Sequence, residues 1–385
     1  MNVKKLLLSL VVLAFSFRGM AQPLSAYSNF QKQFIVWDDG IIRQIESLVP
    51  MKVAIGRTAI PYLDNSKNFK VYYKGGVQKI NDGFTRDFQV TDNLFTYQNA
   101  NALWVWENGQ RTLLSNYCEQ FFTGDSLVVY FDGVQKEFRS YYNGRVYPIE
   151  GFLAGNNAAN IFGDNSGSVK VSEDMQIATG QLPSVKVASN IAAYVNYSDQ
   201  FKAFYHGEIL NLEDYLIQNF DVGKNTVAYI DANRQFKIFH DGGIRVISDF
   251  PPENYAAGND LTAFIDNDKS FKIYYNDSLY NIGYFQPDYL VKENIVAYQD
   301  ATGYFKVFYK GNVYNMDNQF PSEIKLGYNS VAYINSANEL KLFTDGEIYN
   351  VSSGVTKNGW RLDYDVVQYQ FGANMYKVFY KGRTY

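Results

Sequence analysis

A unit of about 35 residues repeats along nearly the whole chain, and this periodicity limits what the chain can fold into more than anything else in it. Its clearest copy runs from Phe305 to Met316, reading Phe-Lys-Val-Phe-Tyr-Lys-Gly-Asn-Val-Tyr-Asn-Met. That is an aromatic strand, a turn at Lys310-Gly311 and a second short strand. Aligned on the turn glycine, the first strands start at Phe34, Phe69, Leu103, Phe138, Val169, Phe201, Phe236, Phe271, Phe305, Leu340 and Tyr376, spaced 31 to 36 residues apart. The spacing predicts eleven units. The fifth, from Val169, lacks the turn glycine and is the irregular one.

A second element precedes each hairpin. An aromatic recurs about seven residues before the strand start, as in Tyr27, Tyr62, Tyr194, Tyr229, Phe264, Tyr298 and Tyr333. Two places later stands an Asp or Asn, such as Asn29, Asp64, Asp231, Asp266 or Asn335, whose side chain can bond the backbone two residues on and start a turn. Four places before the aromatic comes another Asn or Asp (Asn190, Asn225, Asp260, Asn294, Asn329), often after glycine, closing a tight turn from one more short strand. Each unit therefore holds about four short antiparallel strands.

Within Phe305–Tyr309 alternate residues face opposite sides, and each side carries a large aromatic. Such strands belong to small sheets covered on both faces. Lys70, Lys202, Lys237, Lys272, Lys306 and Lys341 stand one place after the strand start, where a long stem can lie along a neighbour with its amine in water. With Tyr 33 and Phe 29 against Pro 9, and no sustained helical stripe, the chain is all-β. Four-stranded sheets repeated at fixed period and buried on both faces resemble the blades of a β-propeller. The signatures of particular propeller groups do not recur: Trp-Asp stands once, at Trp37-Asp38, double glycine only at Gly75-Gly76 and Gly242-Gly243, and Ser-x-Asp-x-Gly nowhere. A transmembrane barrel would need strands of about 9–11 residues, and here turns arrive sooner. Since eleven blades exceed the usual ring, two rings are expected, over residues 22–187 (units 1–5) and 188–385 (units 6–11). One oversized ring is the alternative.

The first residues read as an export signal. Met-Asn-Val-Lys-Lys is basic, Leu6 to Phe17 is almost wholly apolar, and Gly19 and Ala21 are small residues at the −3 and −1 positions. A signal peptide over 1–21 follows, cleaved before Gln22. Its apolar run is too short for a spanning helix, which needs about 20 residues. Net charge is −4 with signs interspersed, so no basic stripe for nucleic acid appears. The lone Cys118 cannot form an intramolecular disulfide, lies far from a lipidation position and reads as a small buried residue.

Chemistry is sparse. His206 and His240 fall in turns at positions held by unrelated residues in sister units, which reads as surface variation. No catalytic residue, metal ligand or cofactor-binding residue is singled out, and no cofactor is implied. Asp64, Asp132, Asp164, Asp231, Asp266 and Asp300 recur because the turn recurs. The runs 266–270 and 164–168 are similar to calcium loops but lack the later glutamate. Trp37 and Trp106 align with core positions. Trp104 and Trp360 do not, and remain as candidate platforms for a glycan or a partner protein.

The context Met20-Ala21-Gln22 is similar to cleavage sites in envelope proteins of bacteria that use type IX secretion. With the repeat style, that resemblance implies a periplasmic propeller subunit accompanying an outer-membrane protein-export assembly. The expected function is a non-catalytic scaffold, docking or pore-occluding piece with outer-membrane or periplasmic partners, neither membrane-spanning nor nucleic-acid-binding. A lectin-like glycan binder is one alternative. A hydrolase with carboxylates at a ring mouth, unmatched in sister blades, is the other.

Overall fold

Every hairpin turn has the backbone its sequence demands. In Lys310-Gly311 the two φ angles are 48° and 78°, and each of the ten hairpins in the structure has two central residues with φ positive. This is the type I′ geometry whose twist matches that of the flanking strands. Glycine at the second place serves a further purpose. A Cβ on Gly311 would come within 2.9 Å of the Tyr280 hydroxyl from the preceding blade. The turn that ends one hairpin is thus also a seat for its neighbour.

The computed structural model describes residues 23–81, 85–151, 184–217 and 219–385. They form ten antiparallel sheets in chain order: blades 1 (24–46), 2 (52–81), 3 (85–115), 4 (118–151), 5 (184–213), 6 (220–248), 7 (254–283), 8 (289–317), 9 (323–353) and 10 (360–384). Blades 2 to 10 have four strands each, in sequence order, and blade 1 has three. The first strands of successive blades lie closest together, so they line the axis and the fourth strands form the rim. Inner glycines permit this approach: a Cβ on Gly223 would lie 1.8 Å from the Gly258 carbonyl oxygen.

The two repeated aromatics meet between blades. In six blades the phenylalanine at the start of the third strand packs on the aromatic of the next blade's second strand. Phe34–Tyr62, Phe69–Tyr97, Phe201–Tyr229, Phe236–Phe264, Phe271–Tyr298 and Phe305–Tyr333 have ring centroids 5.1–5.2 Å apart. Aromatic residues dominate because these contacts are large, flat and edge-to-face or tilted. Phe305, Val307 and Phe308 are wholly buried, as covering of both faces requires. The turn Asp and Asn residues act as expected: Asp64 Oδ1 accepts from the backbone N–H groups of Ser66 and Asn68 at 2.8 and 2.9 Å.

The strand lysines differ from expectation. Lys237 does not leave its amine in water; Nζ sits 2.8 Å from both Asp231 of its own blade and Glu213 of the preceding one. Lys70 binds Asp64 and Glu46 in the same way, each at 2.8 Å. These two amines, and that of Lys341 beside Asp317, are ion clasps between blades, whereas Lys272 and Lys306 pair with carboxylates of their own blades. Burial opposes charging Lys70 and Lys237, but the paired carboxylates outweigh it and raise their pKa.

Ring closure corrects the blade count. Trp37 of blade 1 packs against Tyr380 and Tyr385 at the C-terminal end, each with centroids 5.4 Å away. Ser25 Oγ donates to Asp363 of blade 10 at 3.1 Å. Blades 4 and 5 also pack directly, with Leu127, Phe138, Tyr194 and Phe204 in one cluster. The chain therefore makes one ring of ten blades rather than eleven units in two rings divided at 187/188. The unit expected from Val169 lies outside the described residues. Its sequence has the strand and the turn Asp but not the turn glycine.

Candidate functional site

One position of the repeat points to the axis in blades 2 to 10, and it is the position the repeat does not conserve. Five places before the second-strand aromatic stand Arg57, Asp92, Asp125, Ser189, Lys224, Asn259, Glu293, Tyr328 and Tyr364. All lie in the turns leaving the inner strands, five of them directly after a glycine (Gly56, Gly124, Gly223, Gly258 and Gly327). The turns converge across the ring. Arg57 of blade 2 lies over the ring of Tyr328 of blade 9, 5.3 Å from its centroid, and 4.0 Å from Asp92 of blade 3. The Asp92 N–H donates to the Asp125 carboxylate at 3.1 Å. A cavity of about 250 Å³ opens beside them, lined by Asp125, Lys224, Asn259 and Glu293 among others.

Carboxylates crowd this mouth. Burial, then the nearby Asp125 charge, pushes the Asp92 carboxyl up to about 7, and the Tyr364 hydroxyl lies against it. Burial and Asp125 also raise Glu293. Burial raises Tyr364, with Asp92 adding to it. Asp92 and Glu293, buried beside a third carboxylate with one guanidinium near, therefore hold protons more tightly than surface acids do. Among the described residues no set of three or more His, Cys, Asp or Glu side chains is arranged to hold a metal ion.

Beside the axial residue, the turn Asn and Asp positions form a ladder from blade to blade. Asn190 Nδ2 donates to Asn225 at 2.5 Å, Asn225 Nδ2 to Asp260 at 2.7 Å, and Asn294 Nδ2 to Asn329 at 2.6 Å. His240 joins this ladder. Its Nε2 lies 3.3 Å from Asp260 and its Nδ1 3.1 Å from Asp277, with the side chain 8% exposed. The hydrogen bond to Asp260, opposed by burial and helped by Asp277, raises its pKa. His240 is thus a clasp between blades 6 and 7, not surface variation. His206 is exposed, at the first central position of an I′ turn with φ 51°, and stacks on Tyr205.

The tryptophans offer little open surface. Trp360 is 4% exposed and packs with Leu340 and Tyr369, under the Lys325 amine 4.2 Å from its ring. Its place opposite a second-strand tyrosine is a core position that hairpin alignment does not reveal. Trp104 is half-buried, stacked on Tyr97 with the Arg111 guanidinium over it, and replaces the clasp lysine of other blades. Trp37 and Trp106 are core, as aligned, and Cys118 is buried.

A different surface is more conspicuous. In every blade one rim residue pairs with the fourth residue of the third strand. Eight of the ten are exposed aliphatics: Ile42, Val77, Val146, Ile209, Ile244, Leu279, Val313 and Ile348. Their exposure runs from 41% to 52%. The axial and rim positions were both visible in the sequence, the first as a column of unlike residues and the second as a column of aliphatics. Reading only for reactive groups passed over them.

Among solved structures, the computationally designed Ika8 protein is similar at 14% identity, over 93% of this chain and 99% of its own, with a TM-score of 0.32. PorZ, a surface component of the type IX secretion system of Porphyromonas gingivalis, is similar at 7% identity over 95% of this chain and 59% of its own, with a TM-score of 0.28. Prp20p from Saccharomyces cerevisiae gives 10% identity, 58% and 70% coverage and a TM-score of 0.29. No curated protein matches the sequence. The model of the 10-bladed beta propeller domain matches residues 19–385, in agreement with the ten sheets and their closure. The chain belongs to the 10-bladed beta propeller domain family.

Proposed function

We propose that this propeller is a non-catalytic interaction scaffold of the bacterial envelope, a docking or pore-occluding subunit of an outer-membrane protein-export assembly. The observation that carries the reading is the rim. Single exposed aliphatics are ordinary, but eight at one register position form a recurring band around the ring, broken at Arg111 of blade 3 and Thr384 of blade 10. Each also lies on an outer edge strand that no fifth strand covers among the described residues. A ring carrying such a band presents the same docking chemistry to partners from many directions. The export-type N-terminus supports a periplasmic setting. The test is capture from detergent-solubilised envelopes. The wild-type chain is expected to bring down a defined outer-membrane partner, and a variant with Ile209, Ile244, Leu279 and Val313 all changed to Thr is expected to lose it. Equal capture by both, or a chain that migrates alone, refutes the reading.

A second reading, a carboxylate-dependent hydrolase, draws on the ring mouth, where Asp92, Asp125 and Glu293 have no carboxylate counterpart at that position in the other blades. It predicts turnover of a glycan or ester substrate that is lost on Asp92→Asn.

A further inference from the structure

The clasps between blades show what a carboxylate needs at such a junction. Glu46, Glu213 and Asp317 hold one register position, opposite Phe34, Phe201 and Phe305, and each faces the next blade. Glu46 accepts from the Tyr62 hydroxyl and the Lys70 amine of blade 2, each at 2.8 Å. Glu213 accepts from Tyr229 at 2.9 Å and Lys237 at 2.8 Å of blade 6. Asp317, one methylene shorter, lies 3.6 Å from Lys341 and leaves the Tyr333 hydroxyl to the Met316 carbonyl. The tyrosine and lysine are paired directly across two strands in every case.

Between blades 7 and 8 the two donors are present and the carboxylate is not. Tyr298 and Lys306 are paired in the same way, but the position opposite Phe271 is Gly283. A Cβ there would come within 2.7 Å of the Phe285 ring, so the chain has no room to supply the acid from that position. A cavity of about 690 Å³ lies at the junction, lined by Leu279, Ile282 and Phe285 of blade 7 and by Tyr298, Lys306 and Val313 of blade 8 among others. Tyr298 is 2% exposed, and among the described residues its hydroxyl has no hydrogen-bond partner. Burial raises its pKa, so it stays a protonated donor. Lys306 holds Asp300 of its own blade at 3.4 Å and the Asn315 side chain, with the Tyr304 ring 5.7 Å from the amine. Lys70 and Lys237 likewise hold Asp64 and Asp231 of their own blades and still take a second carboxylate, as an ammonium group with three donors can.

We propose that this cavity receives a glutamate side chain from a partner polypeptide, which completes the clasp that blade 7 leaves open. The carboxylate accepts from the Tyr298 hydroxyl and the Lys306 amine, in charge-assisted hydrogen bonds of the kind Glu46 and Glu213 make. Glutamate is selected over aspartate because the two clasps that engage both donors use glutamate. Leu279 and Val313, 51% and 47% exposed, border the same cavity and seat an apolar neighbour of that glutamate. The inference rests on the docking reading and names the chemistry that the partner presents.

The probe is a peptide of residues 44–49, Gln-Ile-Glu-Ser-Leu-Val, acetylated and amidated so that its glutamate is the sole carboxylate. Calorimetric titration of the purified chain is expected to show saturable binding. Replacing the peptide's glutamate by Gln, or Lys306→Met or Tyr298→Phe in the protein, should weaken it by roughly tenfold. Tyr298→Phe removes only an unpartnered hydroxyl, so that variant should fold whatever Lys306→Met does. Absence of binding, or binding indifferent to the peptide's Gln or to Tyr298→Phe, would overturn the proposal. Displacement of the peptide by an equal concentration of acetate would overturn it too, by showing a site for free carboxylate ions. Partner capture lost by the rim variant but kept by both Lys306→Met and Tyr298→Phe would leave the docking reading standing while this one falls. Peptide binding with the expected dependences, alongside equal capture by wild type and rim variant, would do the reverse.

Discussion

Closure of the ring can be tested at the seam between blades 10 and 1. Trp37 is fully buried there, edge-on to Tyr380 at 5.4 Å and 68°. Trp37→Ala removes a large buried side chain and leaves a cavity, which together cost about 3–5 kcal/mol. Tyr380→Ala costs less, because Tyr380 is only partly buried. What distinguishes a closed ring is the interaction between the two changes. If Trp37 and Tyr380 touch, the double variant should lose less than the sum of the singles, by about 0.5–1.5 kcal/mol for an edge-to-face aromatic pair. If blades 1 and 10 belonged to separate rings, the residues would be far apart and the effects would add. Urea unfolding of the four proteins at matched slope gives the cycle directly. A coupling below about 0.3 kcal/mol, the scatter of independent sites, refutes single-ring closure.

Other outcomes follow from the clasps and turns. Lys237→Met strands the carboxylates of Asp231 and Glu213, whose side chains are 0% and 9% exposed, and should cost about 2–4 kcal/mol; Lys269→Met, from an exposed pair, should cost about 0.5 kcal/mol or less in the same denaturation assay. The Asp92 carboxyl binds protons more tightly folded than unfolded, so stability falls as pH rises from about 4 through about 7. Asp92→Asn should remove that slope and stabilise the fold at pH 8 by on the order of 2–4 kcal/mol, read from melting curves across pH. His240 acts in the same direction in a higher window: its stabilisation is complete below about 6.5 and is lost as pH rises through its raised folded value, so His240→Gln should flatten the alkaline side of the profile. Gly311→Ala should cost about 1–2 kcal/mol more than Gly242→Ala, because both turns need φ positive but only the first has a tyrosine against it.

What the sequence disclosed, and what it withheld, divides by range. The I′ turns, the Asp-initiated turns and the strand alternation are set within a few residues, and all were legible. The Phe305–Tyr333 contact was visible as two repeated aromatics, though not as a meeting of neighbouring blades. Lys237 and His240 were misread because their partners, Glu213 and Asp277, come from adjacent blades. Trp360 was misread because hairpin alignment does not register the inner strand. The count of eleven included the unit from Val169, which lacks the turn glycine and lies outside the described residues. The axial residues were passed over for the opposite reason, since a column of unlike residues looks like noise until geometry shows that all of them face the same point.

That axial column has a consequence for how such a protein changes over time. The ladder residues and aromatics that flank the axial positions carry the architecture, so a substitution at Lys224 alters the mouth while the aromatic contacts between blades stay in place. Nine letters are written on one frame, and a single codon rewrites one of them. Selection can retune what the mouth attracts or repels in small steps, while the scaffold that holds the letters stays as it is.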